Sequence, residues 1–200
     1  MTSDESVARA AYLLDRLGRL LRAQADGRGL NRAQWEALRF LARANRFSRT
    51  PSALAEFLAA TRGTVSQTVI ALERKGLLAK SADDRDGRGV RLDLTEAGWD
   101  LIETSDPFSD LAAALASLPP LHVTVMAQGL SRVLDALLHS RGRRAFEVCA
   151  ACQHFVRERT PGDDGGPHHC SLLDTPLSDA DSRLICAEQD RKSTRLNSSH

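Results

Sequence analysis

The 200-residue sequence predicts a mainly α (α+β) fold, in which amphipathic helices flank one short β-hairpin. Residues 50–78 hold two short helical patterns in close succession, with apolar residues at steps of three and four. Residues 77–94 then change to the alternating pattern of strands, interrupted by a charged, turn-rich segment. A helix pair followed directly by a hairpin is the arrangement of a winged helix-turn-helix.

The second helix of this pair has two chemically different sides. It begins near Thr61, ends at Gly76 and carries Val65, Val69 and Leu72 on one side. Hydroxyl, amide and guanidinium groups on its other side suit base edges and phosphates in a major groove. An ordinary surface helix also has a polar side, so this pattern alone leaves both interpretations open. The polar residues are Arg62, Thr64, Ser66 and Gln67.

The remaining helices follow from the same periodicity. We predict helices over residues 5–25, 32–45, 96–105, 108–118 and 121–140. Trp35, Leu38, Phe40 and Leu41 are core candidates of the second helix, and Trp99 and Ile102 are expected to face inward. The apolar stripe of the first helix is wide enough to pack on its own subunit or on a second chain.

The segment between the two strands is rich in charge. Arg85 and Arg88 at the hairpin tip are candidates to enter a narrow, electronegative minor groove. Asp86 could hold the Arg88 guanidinium in an extended position. The alternative is that these residues only keep a surface loop soluble.

Three motifs in order resemble the MarR family of winged helix-turn-helix regulators. They are Leu72-Glu73-Arg74-Lys75-Gly76-Leu77, Asp86-Gly87-Arg88 and Leu94-Thr95-Glu96-Ala97-Gly98. The resemblance covers roughly residues 5–140. It implies a homodimer that binds pseudo-palindromic double-stranded DNA near promoters, usually as a repressor relieved by a small-molecule effector or by oxidation.

The resemblance also implies roles for particular residues and segments. Arg62, Thr64, Ser66 and Gln67 would meet the major groove, and Arg88 the minor groove. Gln67 stands where many relatives have arginine, which predicts a preference for adenine over guanine at that base. The expected divisions are an N-terminal dimerisation helix (5–30), the winged helix-turn-helix domain (31–98), C-terminal dimerisation helices (99–140) and a cysteine-rich module (141–190).

Composition excludes few classes of protein. The formal net charge of +1 does not by itself indicate nucleic-acid binding. No apolar run approaches the roughly 18 residues of a membrane span, and the N-terminus does not look like a signal peptide. We therefore expect a cytoplasmic protein with no membrane partner, in which cysteines are more often reduced, metal-bound or redox-active than disulfide-bonded.

All four cysteines lie after residue 140. Cys149 and Cys152 form a C-x2-C turn, and Cys170 and Cys186 could complete four thiolate ligands around one metal ion. Zinc is the preferred ion, with an iron–sulfur cluster as the alternative. A site with His168 or His169 in place of Cys170, disulfides, a metal-free thiol switch and simple burial all remain open. The module would be a structural clip beside the dimerisation helices or a sensor.

The functional prediction is a non-enzymatic, DNA-binding regulator with a four-cysteine metal site. Two other classes stay open: a redox-active cysteine protein with a helical dimer scaffold, and a winged-helix module that binds proteins. We find no nucleophile–base set and no phosphate-binding loop in the sequence that would support an enzymatic function. Residues 191–200 are polar and aperiodic, and we expect them to be a non-native tail.

Overall fold

The computed structural model describes residues 2–24, 29–82, 89–106, 108–158 and 166–188. It confirms the mainly α (α+β) winged helix-turn-helix fold. The first helices are α1 (Ser3–Gln24), α2 (Arg32–Arg43), α3 (Pro51–Leu58) and α4 (Arg62–Arg74). The hairpin strands β1 (Leu78–Ala82) and β2 (Val90–Leu94) follow. Three more helices come next: α5 (Glu96–Ser105), α6 (Ser109–Ala116) and α7 (Pro120–Ser140).

The segment after α7 folds into small elements. A 3-10 turn spans Cys149–Ala151, and β3 (Phe155–Val156), β4 (His168–Cys170) and β5 (Thr175–Leu177) pair in that order as an antiparallel sheet. A short helix, α8 (Asp179–Ser182), follows the sheet. No helix in the described part of the chain is long and apolar enough to cross a bilayer.

The ends of the central helices are fixed by local hydrogen bonds. The Thr50 hydroxyl accepts the Ala53 N–H (3.2 Å) at the start of α3, with Pro51 next in the chain. The Thr61 hydroxyl caps α4 in the same way through Thr64. After α4, Gly76 adopts a φ of +69°, a conformation that glycine takes without a steric penalty.

One core holds the helices and the hairpin together. The core candidates Trp35, Leu38, Phe40 and Leu41 of α2 are buried, as are Leu54 of α3, Val65, Val69 and Leu72 of α4, and Leu78 and Leu92 of the hairpin. Apolar faces of three helices and one face of the hairpin therefore close around a common interior, which fixes α4 relative to the hairpin.

The inward orientation predicted for Trp99 is wrong. Its side chain is 36% exposed, whereas the neighbouring Gly98 is buried against the Leu77 carbonyl. Consecutive residues of a helix point about 100° apart. Because α5 turns its glycine towards β1, Trp99 is carried to the outer side. Ile102 does pack against the core.

Candidate nucleic-acid interface and cysteine cluster

The polar face of α4 lies on the protein surface. Arg62, Thr64, Ser66 and Gln67 are all exposed, while Val65, Thr68, Val69 and Leu72 are buried. The Thr64 hydroxyl lies 2.9 Å from the Thr61 hydroxyl and so takes part in the helix cap. The sequence pattern placed these four residues on one face, and their exposure leaves them able to meet a ligand.

A groove of about 650 Å³ runs beside this face, between α4, the start of α3 and the hairpin. Arg62 and Ser66 line it from α4, Ser52 from α3 and Lys80 from β1. The Lys80 ammonium is held by the Glu73 carboxylate at 2.6 Å. Arg62, Lys80 and the two serine hydroxyls can contact phosphates, whereas Pro51, Val69, Ile70 and Val90 make the rest of the lining mostly apolar.

Sequence analysis missed Ser52 and Lys80 as members of this surface. Ser52 follows the Thr50-Pro51 helix start, and Lys80 occupies an outward position of the first strand. Both signals are local, but only the packing of three elements brings the residues together. The three residues predicted for the hairpin tip, Arg85, Asp86 and Arg88, lie outside the described residues.

The base of the hairpin is fixed to the turn between α2 and α3. The Leu92 N–H donates to the Arg49 carbonyl (2.7 Å), and the Asp93 carboxylate contacts Arg49 (3.3 Å) and Arg91 (2.8 Å). Burial raises the pKa of Asp93, but the hydrogen bonds and charges of the two arginines outweigh it, so this pKa is lowered. The carboxylate therefore stays ionised between two guanidinium groups.

The four cysteines come together around one small pocket. Cys149, Cys152, Cys170 and Cys186 all line it, with His154 beside them, and its volume is about 10 Å³. None of the four is in a disulfide. The described residues contain no closed set of three or more cysteine, histidine or acidic ligands around a common point. The four thiols thus line the same pocket, but they would have to move closer together to bind one metal ion.

Cys149 and Cys186 interact directly, and this contact shifts the pKa values of the two thiols in opposite directions. A hydrogen bond from Cys149, followed by bonds from Asn45, the Glu188 backbone and Ser48, lowers the pKa of Cys186 to about 6 despite its burial. The same bond to Cys186, together with burial, raises the pKa of Cys149. The pair therefore holds a single negative charge readily and a second one with difficulty.

The histidines near the cysteines have other partners. His168 is buried, its Nδ1 accepts the Glu158 N–H (3.3 Å), and its Nε2 lies 3.0 Å from the Asp179 carboxylate. His169 Nε2 contacts Asp174 at 3.0 Å. Neither histidine lines the cysteine pocket. This arrangement favours cysteines over His168 or His169 as the ligand set.

The cysteine module packs on the winged-helix half of the molecule. The Phe146 ring lies 6.1 Å from that of Phe40 and 5.4 Å from that of Phe57, and the Arg144 guanidinium contacts the Glu56 carboxylate at 3.2 Å. The hypothesis of a clip beside the dimerisation helices does not describe these contacts. The segment instead continues the winged-helix core across α2 and α3.

Two long helices, by contrast, leave apolar side chains exposed. On α1 the exposed apolar residues include Tyr12, Leu17 and Leu20. On α7 they include Val125, Val133 and Leu134. A second cavity of about 270 Å³ lies between α1, α2, α3 and residue 108. It is lined by three arginines, one glutamate and three phenylalanines: Arg32, Arg39, Arg43, Glu36, Phe40, Phe57 and Phe108.

Comparison with known proteins supports this description of the fold. The model of the MarR family matches residues 28–89. The structure of S. aureus MepR in complex with DNA is 26% identical, with a TM-score of 0.51, over 64% of this chain and 97% of that one. No curated protein is significantly similar in sequence.

Two further solved structures share the fold. A MarR transcriptional regulator from Methanosarcina mazei Go1 is 22% identical over 68% of this chain and 98% of that one, with a TM-score of 0.52. Streptococcus pneumoniae FabT, solved in complex with DNA, is 22% identical over 66% and 96%, with a TM-score of 0.52. Residues 28–89 of this chain are therefore similar to the MarR family, and the described chain shares the winged-helix fold of these solved structures.

Proposed function

We propose that the protein is a non-enzymatic, MarR-type transcriptional regulator of the cytoplasm that binds double-stranded promoter DNA. The supporting observation is the polar face of α4, which borders a groove carrying Arg62 and Lys80. The similar MepR structure is itself a DNA complex. The predicted contacts of Arg62, Thr64, Ser66 and Gln67 with bases and phosphates remain part of this proposal, as do those of Arg85 and Arg88.

Salt-dependent binding tests this proposal directly. Fluorescence anisotropy with a labelled fragment from upstream of its own gene should show an affinity that falls steeply with salt, because phosphate neutralisation releases counterions. Arg62→Ala should reduce the slope by about 0.9 per contacted phosphate, or about 2 for a dimer. Arg183→Ala, at an exposed arginine directly after α8, is the matched control. Equal slopes for both variants would contradict the proposed interface.

Base preference tests the role of Gln67. A glutamine amide pairs with adenine N6 and N7, whereas arginine favours guanine O6 and N7. Selection of binding sites from a random DNA pool should therefore give an adenine at one position of each half-site, and Gln67→Arg should change it to guanine. An unchanged motif would remove Gln67 from the base contacts.

We propose a homodimer formed through α1 and α7. The support is the apolar stripe that each helix leaves exposed, because a contiguous exposed apolar patch commonly marks a protein–protein interface. Sedimentation should give twice the monomer mass, and Leu134→Glu should yield a folded monomer. Val156→Glu, at a half-exposed position on β3, should stay dimeric. A dimer that survives Leu134→Glu and further charges on α1 would contradict this interface.

A small-molecule effector remains a proposal supported by the second cavity. Its phenylalanine rings suit an aromatic ligand, and because Arg39 is ion-paired with Asp106 at 2.7 Å, the proposal assigns Arg43 to an anionic group of that ligand. A ligand there would contact α1 and α2 together. Screening planar aromatic acids by thermal shift, with Arg43→Ala as the comparison, tests this cavity.

We further propose that Cys149, Cys152, Cys170 and Cys186 hold one metal centre, zinc or alternatively an iron–sulfur cluster. The support is that all four thiols, none of them in a disulfide, line one pocket, and four thiolates are the usual ligand set of both centres. Elemental analysis of protein purified without oxygen should give one zinc per chain, or iron with acid-labile sulfide. Cys149→Ser should lose the metal, and full retention would refute this ligand set.

A further inference from the structure

The turn between α2 and α3, residues 44–49, is where the cysteine module joins the winged helix. The Asn45 N–H donates to the Ile185 carbonyl (2.9 Å), and the Ile185 N–H donates to the Arg43 carbonyl (2.8 Å). The Ala187 N–H donates to the Ser48 hydroxyl at 2.7 Å. These bonds place the residues on both sides of Cys186 directly against the turn.

The Asn45 side chain connects this turn to a cysteine sulfur. It is fully buried, and its Nδ2 donates to the Cys149 Sγ at 3.2 Å. Its Oδ1 accepts the N–H groups of Phe47 (3.1 Å) and Ser48 (3.0 Å). One end of the amide therefore holds the turn in shape, while the other end contacts the pocket that the four cysteines line.

The same turn positions both DNA-facing elements. Thr50 follows it and caps α3, against which α4 packs, and the Arg49 carbonyl accepts the Leu92 N–H of the hairpin. A shift of residues 45–49 would therefore move the start of α3 and the base of the hairpin together. Because interiors are closely packed, such a shift cannot be absorbed locally.

We propose that Asn45 couples metal binding at the cysteine site to DNA binding by the winged helix. This inference rests on the proposed function, since it requires both the metal site and the DNA interface. A metal-bound cysteine is a thiolate, which accepts a stronger, charge-assisted hydrogen bond than a thiol does. The metal also fixes the Cys149 sulfur in position. Metal loading then stabilises Asn45, the turn and the DNA-binding arrangement, and by reciprocity DNA raises the metal affinity.

The test compares promoter affinity in zinc-loaded and chelator-stripped protein. For the wild type we expect the zinc-loaded form to bind about tenfold more tightly, within the usual range of coupling between sites. Asn45→Asp keeps an oxygen for the N–H groups of Phe47 and Ser48 but removes the donor to sulfur, so it should bring the affinity ratio close to one. Asn31→Asp, the same change at the cap of α2, should keep the ratio because aspartate also caps helices.

Hydrogen exchange of the wild type provides a second measurement that needs no variant. Zinc should slow the exchange of the Phe47 and Ser48 amides, because both N–H groups donate to the Asn45 Oδ1. If Asn45 had only a structural role, Asn45→Asp would keep the affinity ratio of the wild type, and zinc would not change the exchange of the two amides.

The outcomes separate the two proposals. Zinc binding with no effect on DNA affinity or on the two amides would overturn the coupling and leave the metal site standing. A full affinity ratio in folded, zinc-loaded Asn45→Asp would remove Asn45 from the coupling. No metal in the wild-type protein would overturn the metal site and the coupling together, while DNA binding itself would be judged by its salt dependence.

Discussion

Gly98 offers a severe test of the contact between α5 and the hairpin. It is a helical residue, and alanine normally stabilises a helix interior by about 1 kcal/mol relative to glycine. A Cβ at Gly98, however, would lie 2.2 Å from the Leu77 carbonyl oxygen and 3.2 Å from its carbon. The Leu77 oxygen also accepts the Thr95 N–H, so this backbone group cannot turn away without losing that bond.

The size of the effect follows from these distances. Cβ contacts below 3.0 Å essentially never occur, so α5 and Leu77, the residue before β1, must separate by about 0.8 Å or more. Overpacking of this kind typically costs about 1–3 kcal/mol, and here the obstacle is backbone, which places the cost at the upper end. Subtracting the helix propensity of alanine leaves a net loss of about 2 kcal/mol for Gly98→Ala.

Urea unfolding followed by far-UV circular dichroism measures this loss. Gly63→Ala in α4 is the control, because its Cβ would meet only the Thr61 hydroxyl at 3.8 Å, an ordinary contact. We expect Gly63→Ala to be neutral or stabilising by about 0.5 kcal/mol. A Gly98→Ala protein as stable as the wild type would refute the close approach of α5 to Leu77.

Three other substitutions test separate parts of the structure. Phe146→Ala should cost about 3 kcal/mol in urea unfolding, because it removes a buried ring from the phenylalanine cluster; Val156→Ala, at a half-exposed position, should cost less than about 1 kcal/mol. Thr50→Ala should cost about 1 kcal/mol by removing the cap of α3, and rescue by Thr50→Ser would confirm the cap. Asp93→Asn should cost at most about 1 kcal/mol at neutral pH, since the ion pairs are partly exposed. Because the pKa of Asp93 is lowered in the folded state, its contribution is present above the unfolded value of 3.8 and disappears as the pH falls through the lower folded value; a difference between wild type and Asp93→Asn that grew in acid would be contrary to the ion pairs.

Local signals made the winged helix predictable from the sequence. Periodicity, the Thr50-Pro51 start and Gly76 identify α3 and α4, and the structure gives their bounds as Pro51–Leu58 and Arg62–Arg74. These features depend on neighbours within one helical turn. The exposure of Arg62 and Gln67 follows from the same period, so the polar face of α4 was also predictable.

The position of the cysteine module was not predictable in this way. The Asn45–Cys149 and Ser48–Ala187 bonds join residues 104 and 139 positions apart. No short-range pattern marks Asn45 as a partner of a cysteine, and in the sequence it reads as a turn residue. The prediction for Trp99 was wrong for a related reason. Gly98 is buried because α5 approaches the Leu77 backbone closely, and the hydrophobic pattern of the sequence does not encode that contact.

These long separations have a consequence for folding. Contacts between residues more than 100 positions apart close late, because large loops lose more entropy and must wait for the distant segment. During synthesis the winged helix can therefore collapse first, with water bound to Asn45 and Ser48, and the C-terminal segment must later displace that water. A fragment that stops at residue 140 would leave those polar groups, and the faces of Phe40 and Phe57 that Phe146 covers, in contact with water. Its solubility and its refolding rate would then differ from those of the whole chain even where its helices are identical.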